Sequence, residues 1–191
     1  MPTNTGPWMR LARAIDALTD RVGRSVSWLA VLMVLVGAYN AIARYLGRFI
    51  GLNLSSNAYI EFQWYLFSII FLLAAGYALK QDAHVRVDVL FGRLSARVQA
   101  WINIAGAALL LLPFCIFAIW VALPPVRNSF IIREMSPDPG GLPRWPLKAL
   151  IPVCFILLAL QGIAEIIKEI DRVQAGEPAV PDTRHHPPEG L

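Results

Sequence analysis

Long uncharged runs alternate with short charged segments along this chain, and that alternation defines its layout. No residue from Phe62 to Leu79 is charged, and with Ala58, Tyr59 and Ile60 the run exceeds the roughly 20 residues a helix needs to cross the hydrocarbon core. Comparable runs begin after Arg24, after Arg97 and after Lys148. The pattern predicts an all-α integral membrane protein with four transmembrane helices, over about 26–46, 58–79, 98–123 and 147–168, plus short interfacial amphipathic helices. Residues 1–25 form a basic leader, 26–170 the membrane domain, and 171–191 a tail whose Pro, Gly and charge (QAGEPAVPDTRHHPPEG) build no core.

Within this frame a few positions stand out. In the leader, Leu11, Ile15, Leu18 and Val22 recur at helical spacing, which fits an amphipathic helix in the headgroup layer; a loosely ordered basic segment fits as well. Asn40 is the strongly polar interior residue of the first run, and Gln161 holds the same position in the fourth. An amide at such depth either hydrogen-bonds a neighbouring helix or lines a path, and the first is expected for both. Asn57 is the expected cap of the second helix, which would place Glu61 in its first turn. There a carboxylate complements the positive helix end or pairs with a partner subunit. In the third run, Pro113 predicts a kink and Pro124-Pro125 a stop. A charged loop from Arg127 to Lys148 follows, with a PDPGG turn.

After the second run the chain reads AHVRVDVLFGRLSARV, whose alternation from Ala83 to Val89 has strand periodicity. Beside a bilayer a lone strand leaves its backbone unpaired, so a turn and an interfacial helix over about 88–97 is the expectation.

Composition adds exclusions. The chain is 57% apolar and 16% charged, an integral-membrane balance. Its 17 basic and 13 acidic side chains are scattered between apolar runs, so nucleic acid is not an expected partner. Cys115 and Cys154 each lie inside an apolar run and read as small buried hydrophobes. His84 has no second ligand near it, and His185-His186 falls in the tail. With four spans, eleven of the 17 basic residues collect on the side of the termini, so both termini are expected in the cytoplasm. Neither a nucleophile with its base, nor a phosphate-cradling glycine loop, nor paired intramembrane acids occur in the sequence, and its halves show no repeat.

The acid near the start of the second run, the glycine near its end and the following AHVRVDVL together resemble the small membrane subunit, DctQ type, of tripartite ATP-independent periplasmic (TRAP) transporters. The motif similarity runs from about Tyr59 to Leu94, and the four-span layout extends it over the chain. The resemblance implies a non-catalytic scaffold subunit of a sodium-driven, binding-protein-dependent importer of organic acids in a bacterial inner membrane. It implies a large DctM-type membrane subunit and a periplasmic substrate-binding protein as partners, with membrane lipids around them. Sodium ions belong in the large subunit, and no cofactor or metal is expected in this chain. Glu61, Trp64, Gly76, His84, Arg86 and Asp88 then act in folding or subunit contact, with no catalytic residue among them. The competing reading is an independent small oligomeric transporter or channel that uses Glu61, Asn40 and Gln161 as polar lining.

Overall fold

The structure, a computed structural model, describes residues 6–51, 56–81, 91 and 94–175. These form four long helices: α1 (Pro7–Ile50), α2 (Asn57–Lys80), α3 (Ala96–Ile131) and α4 (Trp145–Ala175). Each is long and apolar enough to cross a membrane.

The leader and the first span are one helix. α1 has 44 residues and at 1.5 Å per residue extends about 66 Å, twice the hydrocarbon thickness. The sequence pattern changes at Arg24, but neither proline nor glycine pair interrupts the backbone there. Proline at the first position starts the helix and Gly51, at φ 73°, ends it by donating its N–H to the Gly47 carbonyl at 2.9 Å.

α2 is capped by Ser56, not by Asn57: the Ser56 hydroxyl accepts from the Ala58 N–H at 3.3 Å. That start puts Glu61 in the second turn, where the end charge of the helix has little hold on it.

α3 departs furthest from expectation. It continues through Pro124-Pro125 to Ile131, so the proline pair does not stop it. Both prolines lack an N–H, but in an apolar segment the remaining backbone bonds have no water to exchange with, and the helix survives their absence. The irregularity lies before Pro113 instead, where Ala107–Leu111 forms one π-helical turn. The connection to α4 is consequently shorter than the charge pattern implied, with Arg127 on α3 and Lys148 on α4.

α4 is the organising helix. It packs against α1, α2 and both parts of α3, while the other extensive contact joins α1 to α2. The four helices therefore do not close around a common axis; α3 is attached along one side of α4. Small residues set the distances. At Gly76 on α2 an added Cβ would stand 3.3 Å from the Leu157 carbonyl oxygen of α4, and at Gly23 on α1 it would meet the Tyr77 ring at 2.4 Å. Gly76→Ala requires a shift of only tenths of an ångström, whereas Gly76→Leu must push α2 from α4. We expect near-native thermal stability in detergent for the first and a loss of about 2 kcal/mol or more for the second.

The buried apolar cluster sits where the N-terminal half of α1 crosses α4: Ala12, Ile15 and Ala164, flanked by Leu160 and Ile167. Elsewhere the faces are widely apolar and exposed, as with Trp28, Leu109, Leu110 and Trp120. Cys115 and Cys154 are buried and free.

Candidate functional site

Two polar hubs mark the two ends of the molecule. The first is built on Glu61. One carboxylate oxygen accepts from the Ser136 hydroxyl, and the other accepts the Leu142 backbone N–H at 2.6 Å. Ser136 and Leu142 belong to the connection between α3 and α4, which folds into a compact turn: Ser136 N–H donates to the Leu142 carbonyl, Arg144 N–H to the Glu134 carbonyl, and Met135 bridges Pro143. Gly140, at φ 73°, makes the reversal possible, since a side chain there would be strained. Tyr65, one helical turn beyond Glu61, donates its hydroxyl to the Pro143 carbonyl. α2 thus holds the connection at two successive turns, and Glu61 is only 5% exposed although acidic. In the structure Glu61 ties the α3–α4 connection to α2, and it does so from the second turn of the helix rather than the first-turn position expected of it.

The rim of this hub is ionic. Lys148 pairs with Glu134, and the Arg133 guanidinium lies 4.9 Å from the Phe130 ring centre and 5.1 Å from that of Trp145. Lys148 donating to its carboxylate, with Arg144 adding positive charge nearby, holds Glu134 below the usual carboxylate range. A depressed carboxyl pKa stabilises the fold above the unfolded value and loses that contribution as pH falls through the folded value. The connection should therefore loosen below about pH 4. Protease susceptibility of residues 132–144 at pH 3.5 against pH 7 measures it, and the difference should shrink in Glu134→Gln, with the remainder carried by Glu61, the other carboxylate that holds this segment.

The second hub lies at the opposite end. Gln161 on α4 is fully buried; its carbonyl accepts from the Thr19 hydroxyl at 2.8 Å, and its amide donates to Asp16 and Glu165, each at 2.9 Å. Lys168 closes the set by reaching Glu165 at 2.7 Å and Asp16 at 3.3 Å. Lys80, at the end of α2, pairs with Asp20 at 2.6 Å. Further along α4, Glu169 accepts from Asn103 of α3 and from Arg172. All four helices contribute, so this end is where the leader half of α1 is fixed to the membrane domain.

The expected site residues separate accordingly. Glu61 and Gln161 do not face one another, because Gln161 belongs with the Lys80 end of α2, 19 residues or about 28 Å from Glu61. Asn40 is near the Glu61 level, since neighbouring Tyr39 touches the Tyr59 ring at 5.2 Å. The interhelical bond expected of Asn40 is not found for its carbonyl: the residue is 5% exposed and Oδ1 has no partner among the described residues. Gln161 does make such bonds. Gly76 lies in the α2–α4 contact, and Trp64 is exposed on α2 in a stripe with Phe67 and Phe71. His84, Arg86 and Asp88 lie outside the described residues, as does the tail segment with His185-His186, and of the interfacial helix expected over about 88–97 only 91 and 94–97 are described. Ser136, Leu142, Tyr65, Asp16 and Thr19 were not anticipated; their partners lie 64 to 152 residues away, and local pattern carries no trace of such pairings.

Such a chain is a multi-span helical membrane protein whose polar interior groups bind its own elements to one another, while its helices turn broad apolar faces outward. A family model described as Tripartite ATP-independent periplasmic transporters, DctQ component, matches residues 32–172, and the chain belongs to that family. It is a membrane component of a bacterial TRAP transporter. Comparison with curated proteins and with solved structures gave no match.

Proposed function

We propose that this chain is a non-catalytic scaffold, packing beside the large DctM-type subunit of a sodium-driven importer of organic acids and anchoring it in the inner membrane. Both termini then lie in the cytoplasm, the Glu61 hub faces the periplasm where the substrate-binding protein docks, and sodium and substrate bind to the large subunit. The observation that carries this reading is the disposition of polar groups. Glu61 is committed to the α3–α4 connection and Gln161 to α1, at opposite ends of the molecule, so among the described residues no continuous polar lining runs between them. What remains is surface: α3 is held along one side by α4, and its outward Leu109, Leu110, Phe114 and Phe117 suit a membrane neighbour or lipid. Trp64, Gly76 and the His84, Arg86, Asp88 segment are assigned to folding or subunit contact.

Reconstitution separates this from an independent transporter or channel lined by Glu61, Asn40 and Gln161. Proteoliposomes holding this chain alone should show no sodium-dependent uptake of organic acids. Uptake should appear only with the large subunit and binding protein present. Flux by this chain alone, abolished by Glu61→Gln, would overturn the scaffold reading.

A further inference from the structure

The N-terminal half of α1 sorts its charges by face. Its two acids turn inward: Asp16 meets Gln161 and Lys168, and Asp20 meets Lys80. Its four arginines do the opposite. At about 100° per residue, Arg10, Arg13, Arg21 and Arg24 fall on one stripe with Trp28, opposite the buried Ala12, Ile15, Thr19 and Gly23. All four are exposed. Arg13 and Arg24 bond only to backbone carbonyls of their own helix, and none of the four has a carboxylate partner among the described residues. Leu11 and Leu18 border the stripe on one side and are exposed as well, while Asp16 and Asp20 lie along its other side. The helix therefore presents a cationic strip with an apolar border on one side, and the acids on its other side, Asp16 and Asp20, are engaged by Lys168 and Lys80.

Its height is set by the structure. Lys80 ends the apolar run of α2 and pairs with Asp20, so Arg21 and Arg24 lie at the level of that membrane boundary. Arg13 and Arg10 are about 10–15 Å further along the axis, within reach of the boundary for long side chains on a tilted helix. We propose that this strip binds the headgroups of anionic phospholipids, which supply the negative charge the protein withholds from it. Charge complementarity favours this occupant, and the bordering Leu18, close to the Asp20 level, with Leu11 beyond it on the same side, suits a lipid headgroup layer better than an aqueous acidic partner. The assignment is independent of which subunit performs transport.

The experiment compares lipid retention by native mass spectrometry, with the purified full chain in micelles containing equal phosphatidylglycerol and phosphatidylcholine. Wild type should retain phosphatidylglycerol over phosphatidylcholine by roughly tenfold, less so as salt rises to about 0.5 M. The combined Arg10→Gln, Arg13→Gln, Arg21→Gln and Arg24→Gln variant should lose most of that preference. The four side chains are exposed and bond to no other helix among the described residues, so the variant should elute and melt like wild type. Arg44→Gln with Arg48→Gln, at the other end of α1, should keep the preference. Absence of a preference in wild type, its insensitivity to salt, or equal loss in both variants would overturn the proposal. So would a fourfold variant that keeps its lipid preference and loses co-purification with the large subunit, which would give the strip to a protein instead.

Discussion

Replacing Glu61 by alanine releases the α3–α4 connection. Its carboxylate accepts two donors from that segment, the Ser136 hydroxyl and the Leu142 N–H, and truncation leaves both without that acceptor in a part-buried place. Hydrogen bonds to a charged acceptor are the strong class, and an unmatched donor adds to the loss. We expect amide exchange at Leu142 and proteolysis within 132–144 to accelerate on the order of tenfold or more, with the transmembrane helices intact. Glu61→Gln should fall between, since one carbonyl oxygen remains to accept from Leu142. Tyr65→Phe removes the neighbouring bond to Pro143 and should act in the same direction with smaller effect. Unchanged exchange at Leu142 in Glu61→Ala would mean that Tyr65 and the Glu134–Lys148 pair hold the connection without Glu61.

The second large effect is expected at Gln161. A leucine there fits the volume but offers nothing to Thr19 and Asp16, whose partners face a fully buried position. Burying an unmatched hydroxyl costs about 1–3 kcal/mol, so Gln161→Leu should destabilise the chain by about 2 kcal/mol in detergent unfolding. Thr19→Val in the same background should add little, because the two side chains share one bond; the deficit from additivity measures it. The cost should appear as fraying of the N-terminal half of α1, read by exchange at residues 7–20, because Ala12 and Ile15 depend on the same crossing with α4.

The spans were legible because membrane length and lack of charge are properties of contiguous sequence, readable without knowing what packs on what. Helix ends were less so. Ser56 and Asn57 are both good caps, and only backbone geometry decides between them. Pro124-Pro125 was misleading for a reason specific to membranes: the propensity that ends a helix in water is weak where backbone groups have no alternative partner. Glu61 was recognised as exceptional, an acid at the edge of a span, but its partners could not be read, because Ser136 and Leu142 join it only through the α3–α4 turn. The leader illustrates the same limit. Its spacing showed an apolar face of Leu11, Ile15, Leu18 and Val22, yet of these only Ile15 is buried; the face that meets α4, Ala12, Ile15 and Thr19, was decided by Ala164 and Gln161 about 150 residues away.

Asn40 is the local choice that the packing leaves unsatisfied. Its Oδ1 is buried without a donor, while one turn earlier Gly37 leaves the room occupied by the Gln63 amide, 2.4 Å from where a Cβ would stand.

The central claim is that this chain works only as part of a larger membrane assembly. Mild-detergent purification of the tagged full chain from its native membrane, followed by mass spectrometry of what remains attached, tests it directly. The account predicts a much larger multi-span protein at fixed stoichiometry. Recovery of this chain by itself as a stable homo-oligomer, with no such companion, would contradict it.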